Sequence, residues 1–460
     1  MITLLKPAPI ALLLAATSAV AHAAERTVYR GMLEGAGEIV MELQVASDPQ
    51  AAAAGEWEGR YFYPKRGVDI PLAGPPDALV EPTPLHALSD TERRAIGDWT
   101  QGAFEHPAAR FEGHIVGGEY TGRWVPTGGG RPRAFRLREV ARYNPKAASP
   151  DAVEAIAQVI AGGRGSEVGA HSDVSINSAP YLFLKLHGHA KPVGEAIGNA
   201  TVAYRMWVDP RTVVPFPRIE RHPDALAMEA TNRLLEQRHW RLGDQALACA
   251  GTAYTESHPA AGSLGSIDGE NVKVEFLSAA LMSIRESGST YCGGAHPNNH
   301  SDPYVIDIAR GEFLDWNRAF DAFVEGEYGA VEPSSTLTAL ARRVAMDVRY
   351  VHRGLKPSPP AGEDDPVDTH GDDLIEYAGC GLWPAYLGLS LESPDRLVFN
   401  VTGVGHALGV CLGPHASLPF SALDDLLTPS HIKPEAKGLL LPSVLPPASL
   451  ERAGASAQRW

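Results

Sequence analysis

The stretch YCGGAHPNNH, residues 291–300, holds the side chain with the clearest potential for chemistry. Its histidine, His296, could act as a general base if folding brings a carboxylate or hydroxyl beside it. Asp302 and Asp307 follow closely and are the candidate carboxylates. Neither a G-x-S-x-G nucleophile elbow nor an H-E-x-x-H motif occurs in the chain, so two familiar hydrolase signatures are missing. These three residues therefore define the catalytic interpretation of this stretch.

A structural interpretation of the same stretch competes with the catalytic one, and we favour it. Gly293 and Gly294 allow a sharp turn at the end of a strand, and Cys292 can tether that turn. The ring nitrogens of His296 can then hydrogen-bond to backbone groups of the turn. The segment GHALGVCLGP repeats this arrangement, with His406 between glycines. We interpret Gly293, Gly294, His296 and His406 as structural turn residues.

The sequence predicts no metal ion and no other cofactor. The chain has 17 histidines, but they are scattered. His187 and His189 alternate on a strand-like segment, which does not by itself define a metal site. The segment GGRGSEVG lacks the Lys-Ser/Thr ending of a phosphate loop, and the acidic segment EDDPVDTHGDD lacks EF-hand spacing.

An internal repeat marks the region 24–142. The segment EWEGRYF and the segment EYTGRWV share the pattern Glu-aromatic-x-Gly-Arg-aromatic-apolar, and each is followed by a Pro/Gly turn and another strand. This predicts an all-β, duplicated meander that closes or curls into a small barrel. The aromatic residues of the repeat fit a barrel core, and a sugar-binding patch is the alternative; they are Trp57, Tyr61, Tyr120 and Trp124.

Four cysteines fit an oxidising compartment, and because none of them forms a C-x-x-C motif, zinc binding and redox catalysis are poorly supported. Three pairings are open on paper. We favour Cys249–Cys292 together with Cys380–Cys411, because each bond would join neighbouring predicted strands.

The ends of the chain differ in composition from the rest. Residues 1–23 combine one early lysine, a short apolar run and Ala-His-Ala, which predicts a signal peptide cleaved after Ala23. No later segment is apolar and long enough to span a bilayer. We therefore expect an exported protein, periplasmic or secreted, with no transmembrane span after cleavage. The Pro- and Ala-rich end, 446–460, is expected to be a flexible tail.

The remaining regions predict a second, larger unit. Residues 143–175 read as a linker, and residues 176–445 mix strand and helix patterns in an α+β unit. APYLFLKLHG and the surroundings of Cys249 are expected to be strands. One helix is expected to start at Pro223-Asp224 with Leu226, Ala230 and Leu234 on one face, and another is expected with Ser334 or Ser335 as the cap of its start.

The second unit resembles a family of exported bacterial domains. The resemblance covers about residues 195–428 and is carried by STYCGGAHPNNHSDPYVIDIARGEFLDWNRAF, by PRIERHPDALAMEATNRLLE and by DRLVFNVTGVGHALGVCLGPHASLPFSALDDLL. The family is shared by the extracellular part of the RsiV anti-sigma factor and the accessory domain of the PdaC deacetylase. The resemblance implies an antiparallel sheet with helices packed on one face, and partners at the cell envelope. Neither the membrane span of the anti-sigma factor nor the catalytic domain of the deacetylase is recognised in this chain.

These observations lead to one preferred function and two alternatives. The formal net charge of −15 and the absence of a basic cluster argue against a nucleic-acid partner. The preferred hypothesis is an exported, non-catalytic binding protein whose ligand is a protein of the envelope, such as a lysozyme-like enzyme, or a cell-wall glycan. One alternative is a hydrolase of cell-wall polymers that uses His296. The other is a structural or assembly protein without a small ligand.

Overall fold

The computed structural model describes residues 25–92, 104–144, 174–254, 270–292, 297–326, 331–352, 376–377, 380–381, 386–427, 432–433 and 440. The predicted signal peptide at 1–23, most of the predicted linker at 143–175 and the predicted tail at 446–460 lie outside these ranges. Gly293, Gly294 and His296 also lie outside them, as do the side chains of Cys380 and His406.

The N-terminal part is a closed, antiparallel barrel of eight strands in sequence order, in which the last strand pairs with the first. A short helix, α1 (Pro49–Ala53), lies between the second and third strands. The strands are β1 (Arg26–Leu33), β2 (Gly37–Val45), β3 (Trp57–Phe62), β4 (Ile70–Gly74), β5 (Ala78–Pro82), β6 (Pro107–Val116), β7 (Glu119–Pro126) and β8 (Arg133–Tyr143). The barrel predicted from the sequence is confirmed.

The two copies of the sequence repeat occupy β3 and β7, four strands apart in the eight-stranded barrel. Their glycines make equivalent contacts. A Cβ atom on Gly59 would lie 2.1 Å from the carbonyl oxygen of Glu42 in the preceding strand, and one on Gly122 would lie 2.1 Å from that of Glu112. Both positions therefore require glycine because the neighbouring backbone comes too close for any side chain.

A short helix, α2 (Pro180–Leu186), connects the barrel to the rest of the chain. The strand expected here is wrong, because Pro180 starts a helix that turns Lys185 inward. The Lys185 side chain has no exposed surface, and its Nζ lies 3.0 Å from Oδ2 of Asp69 and 2.9 Å from Oδ1 of Asp244. Asp69 belongs to the β3–β4 connection, so this buried cation holds the barrel against the second unit.

The long helix α3 (Ala225–Gly251) follows a three-stranded sheet in the order β11-β10-β9. The strands are β9 (Lys191–Gly198), β10 (Ala203–Val208) and β11 (Pro215–Arg221). Asp224 caps the helix by accepting from Leu226 N at 2.9 Å and Ala227 N at 3.1 Å, which confirms its predicted start. Asn232 accepts from Ile219 N at 2.7 Å and donates to Ile219 O at 2.8 Å, which fixes α3 against β11.

Two further predictions for α3 are wrong. The helix continues through Cys249, where a strand was expected, because the Ala- and Leu-rich residues before it favour helix. The buried face also lies one position later than expected: Leu226 is exposed, whereas Ala227, Thr231 and Leu235 are buried.

The central sheet of the second unit has the antiparallel order β12-β13-β14-β15. Its strands are β12 (Asn271–Leu277), β13 (Leu281–Thr290), β14 (Asn298–Asp307) and β15 (Glu312–Phe313). Val274, Met282 and Ile284 belong to the same core cluster as Leu235 of α3. On the same face, Arg238 donates from Nε to Oε1 of Glu286 at 2.8 Å. Helix α3 therefore covers one face of this sheet.

The other face of the central sheet packs against a second antiparallel sheet, formed by β20 (Leu387–Glu392), β21 (Arg396–Val401) and β22 (Gly413–Pro419). The core between the two sheets also includes helix α4 (Ser335–Ala345). Leu391 N–H donates to Ser283 Oγ at 3.1 Å across these sheets. Ser334 caps α4 as predicted. The remaining elements are β16 (Phe323–Glu325), β17 (Val331–Pro333), β18 (Glu376–Tyr377), β19 (Cys380–Gly381) and α5 (Leu423–Leu426). The described chain is α+β, with more strand than helix.

Candidate functional site

An open cleft of about 510 Å³ lies between the central sheet and the segment 409–414. Its sheet wall is formed by the first residues of β12, the second half of β13 and the start of β14. These residues are Asn271, Lys273, Arg285, Ser287, Gly288, Asn299, His300 and Ser301. The opposite wall consists of Gly409, Leu412, Gly413 and Pro414, around the 3-10 helix His406–Cys411 and the start of β22. We refer to this feature as the cleft.

Strand register brings the polar side chains of the sheet wall together. Lys273 is paired with Arg285 across β12 and β13, and Ser287 is paired with Ser301 across β13 and β14. Directly opposed residues project from the same face of a sheet, which here is the face away from α3. Three neighbouring strands thus present cations and hydroxyls to one opening.

Two cations of the cleft share one carboxylate. Arg285 forms an ion pair with Glu275, and Lys273 Nζ lies 3.7 Å from the same Oε1 atom. The side chain of Glu275 is 2% exposed, that of Arg285 is 19% exposed and that of Lys273 is 53% exposed. Two positive charges and one negative charge give this group a net charge of +1. Lys273 is the more exposed of its two cations.

Neutral polar groups beside these cations have unused hydrogen-bonding capacity. Within the described part of the chain, the side chains of Asn271, Ser287 and Ser301 have no hydrogen-bond partner in the protein, although all three line the cleft. An amide offers two donors and an acceptor, and each hydroxyl offers a donor and two lone pairs. The cleft can therefore bond a ligand that has several hydroxyl or amide groups.

His300 stands at the edge of the cleft with both ring nitrogens occupied. Its Nδ1 lies 2.9 Å from Oδ2 of Asp302, and its Nε2 lies 2.8 Å from Oε2 of Glu270. Burial by itself would lower the pKa of His300, but the hydrogen bonds to Asp302 and Glu270 and the charges of these two groups raise it to about 10. The ring is therefore a cation at neutral pH with no free lone pair, so it cannot act as a general base there.

The carboxylates proposed to accompany His296 have other partners. Asp302 is bonded to His300, a residue for which we predicted no role. Asp307 is buried and forms an ion pair with Arg318. The two aspartates stand five residues apart on β14, roughly 17 Å along the strand, so they belong to separate sites. His296 itself lies outside the described residues.

The four aromatic residues of the repeat lie in or against the barrel core. Tyr61 and Tyr120 are fully buried, and Trp57 and Trp124 are half-buried against the same core cluster. Glu81, which the sequence did not single out, accepts from Tyr61 Oη at 2.7 Å and from Trp124 Nε1 at 2.8 Å.

Burial raises the pKa of Glu81, and its bonds to Trp124 and Tyr61 offset part of that rise. These aromatic side chains therefore pack the barrel and satisfy an interior carboxyl group. The described surface of the barrel carries no exposed platform formed by them.

The expected disulfide between Cys249 and Cys292 is present, with an S–S distance of 2.07 Å. It joins the last turn of α3 to the end of β13, rather than two strands as we had assumed. Cys411, in the 3-10 helix beside the cleft, also belongs to a disulfide. The side chain of its expected partner, Cys380, lies outside the described residues.

Among the residues that the structure describes, no group of three or more His, Cys, Asp or Glu side chains is arranged to hold a metal ion. The carboxylates around His300 illustrate why, since each occupies a ring nitrogen and does not point to a shared centre. No helix within the described ranges is long and apolar enough to cross a membrane.

Comparison with known proteins assigns no family. No protein-family model matches the chain, and no curated protein is significantly similar to it in sequence. The resemblance of residues 195–428 to the exported domain family therefore stays a prediction from the sequence.

Proposed function

We propose that this chain is an exported, non-catalytic binding protein of the bacterial envelope that holds its ligand, a protein or a cell-wall glycan, in the cleft. The proposal depends on one observation. The side chains of Asn271, Ser287 and Ser301 have no hydrogen-bond partner among the described residues, and they face one opening beside the net positive charge of the Lys273, Arg285 and Glu275 group. Binding sites combine concave shape with a few convergent polar groups, which describes this arrangement.

The state of His300 supports binding over turnover. A general base needs a free lone pair and a pKa near the working pH, and the His300 ring has neither. The likeness of residues 195–428 to the exported family, in which the two named members work at the envelope, supports the same conclusion.

Two features support export as part of this proposal. The Ala-His-Ala sequence after a short apolar run has the form of a cleavage site. The disulfide between Cys249 and Cys292 fits an oxidising compartment such as the periplasm or the cell exterior. Fractionation of cells that express the tagged full chain tests this part directly: a cytoplasmic protein that retains residues 1–23 contradicts it.

The binding proposal is tested by filling the cleft. Ser287→Trp places a large ring among the polar walls, whereas Thr201→Trp places the same ring at an exposed position just before β10. The unchanged chain and both variants are screened on a glycan array and used to capture proteins from envelope extract. We expect one ligand class that binds the unchanged chain and Thr201→Trp but not Ser287→Trp.

Three results would contradict the proposal. Binding that persists in Ser287→Trp would show that the ligand binds outside the cleft. Release of soluble fragments from purified cell wall by the unchanged chain would favour the hydrolase. A complete lack of ligands for the unchanged chain would favour the structural or assembly role.

A further inference from the structure

We infer that the cleft recognises a sugar unit that carries a carboxylate. This inference rests on the proposed function and names the ligand class of the same site. It follows from two observations: the net charge of +1 on the group of Lys273, Arg285 and Glu275, and the chemical type of the groups around that charge.

The net charge of +1 on the group of Lys273, Arg285 and Glu275 calls for an anion. Glu275 is buried and its Oε1 is shared by both cations, so its single negative charge balances only one of them. Lys273 stands 3.7 Å away, outside direct hydrogen-bond distance, and its side chain is half exposed. Its three N–H donors can therefore turn to an incoming group, and Arg285 retains donors beyond the one bonded to Glu275. A carboxylate placed between Lys273 and Arg285 would bring the group to neutrality.

The groups around the charge favour a sugar over a protein partner. Protein interfaces are usually broad, and their centres are enriched in aromatic residues and methionine. The cleft is concave, and the described residues that line it include no Phe, Tyr, Trp or Met. Asn271, Ser287 and Ser301 instead offer short, neutral donors and acceptors at neighbouring strand positions. These donors and acceptors match the hydroxyl and acetamido groups of a sugar in chemical type.

The test compares acidic and neutral oligosaccharides by isothermal titration calorimetry with the full chain. The acidic probes are trigalacturonate and the disaccharide of N-acetylglucosamine and N-acetylmuramic acid, and the neutral probe is chitotriose. We expect an acidic probe to bind and chitotriose to bind at least tenfold more weakly, with affinity for the acidic probe falling as salt is raised. Which acidic probe binds better distinguishes a uronic acid from a lactyl carboxylate.

Matched variants assign the charge to the cleft. Lys273→Met removes the open cation and leaves the Arg285–Glu275 pair in place, so folding should be unaffected. Lys65→Met makes the same change on the exposed β3–β4 turn of the barrel. We expect Lys273→Met to lower the affinity for the acidic probe about three- to tenfold and Lys65→Met to leave that affinity unchanged. Thermal unfolding of both variants verifies that each remains folded.

The outcomes separate this inference from the proposed function. Chitotriose could bind as tightly as the acidic probes, with binding blocked by Ser287→Trp and unchanged in Lys273→Met. That result would overturn the inference that the ligand carries a carboxylate, but would keep a glycan-binding cleft. Capture of an envelope protein through the cleft, with no sugar bound, would overturn the inference that the ligand is a sugar and keep the binding function. No binding of any probe or extract component would overturn both.

Discussion

Nδ1 of His300 lies 2.9 Å from Oδ2 of Asp302, two residues further along β14 and on the same face of the sheet. Glu270, just before β12, closes the other side of the ring through Oε2. A histidine between two carboxylates serves as a fixed positive charge that links β14 to the residue before β12, with β13 between the two strands.

The free energy of unfolding should fall between about pH 6.5 and pH 10. The pKa of His300 in the folded chain, about 10, lies above the usual histidine value of roughly 6.5. A raised pKa stabilises the fold fully below the unfolded value, and this contribution is lost as the pH rises through the folded value. Urea unfolding followed between pH 6 and pH 10 measures the decline.

Replacement of His300 identifies the source of that decline. His300→Gln has no charge to lose, so its unfolding midpoint should depend less on pH, and its deficit against the unchanged chain should be largest near pH 6. His114→Gln, on the exposed side of β6, is the matched control and should follow the unchanged chain. An identical pH slope in His300→Gln and the unchanged chain would show that the ring is not clamped as a cation.

Lys185→Met should destabilise the chain by at least about 2 kcal/mol. The change removes a fully buried cation and leaves Asp244 without it, while Asp69 keeps only Arg60 and Tyr181 as partners. Because Lys185 bridges the barrel and α3, differential scanning calorimetry should also resolve two transitions where the unchanged chain has one.

Lys191→Met is the control for this change. Lys191 is exposed and donates only to Gly188 O, so its loss should alter stability by less than about 0.5 kcal/mol. Equal unfolding temperatures for the two variants would exclude the Lys185 bridge as a stabilising contact.

Gly122→Ala should lower the free energy of unfolding by about 3 kcal/mol or more, or prevent the barrel from closing. The added methyl group would lie 2.1 Å from the carbonyl oxygen of Glu112, in backbone that cannot move without breaking strand pairing. Gly128→Ala, in the turn between β7 and β8, meets nothing within 4 Å and should be neutral. Circular dichroism melting compares the two; tolerance of Gly122→Ala would contradict the close packing of β6 and β7.

The barrel could be predicted because its signals are local. The paired segments around Gly59 and Gly122 repeat one pattern. The repeat left open whether the barrel closes or only curls, since the closing strands β1 and β8 are separated by most of the barrel sequence. The helix α2 was missed because Leu-Phe-Leu resembles a strand, and the burial of Lys185 depends on Asp69 and Asp244, which are distant in sequence.

The candidate site was harder to predict for a related reason. Lys273 and Arg285 become neighbours only once the hairpin of β12 and β13 has its register, and Gly413 and Pro414 reach the cleft from another sheet. One local signal was available: His300 and Asp302 stand two apart, the spacing that places both on one face of a strand.

Loss of the disulfide between Cys249 and Cys292 should lower stability by up to about 4 kcal/mol, because the bond closes a loop with a sequence separation of 43 residues. The variant Cys249→Ala/Cys292→Ala tests this bond alone, since its alanines leave no unpaired thiol and fit a helix end. We expect its thermal midpoint to fall below that of the oxidised chain. Reductant should lower the midpoint of the unchanged chain further than that of the variant, which has already lost this bond. If the variant and the oxidised chain have the same thermal midpoint, the disulfide does not contribute to holding α3 and β13 together.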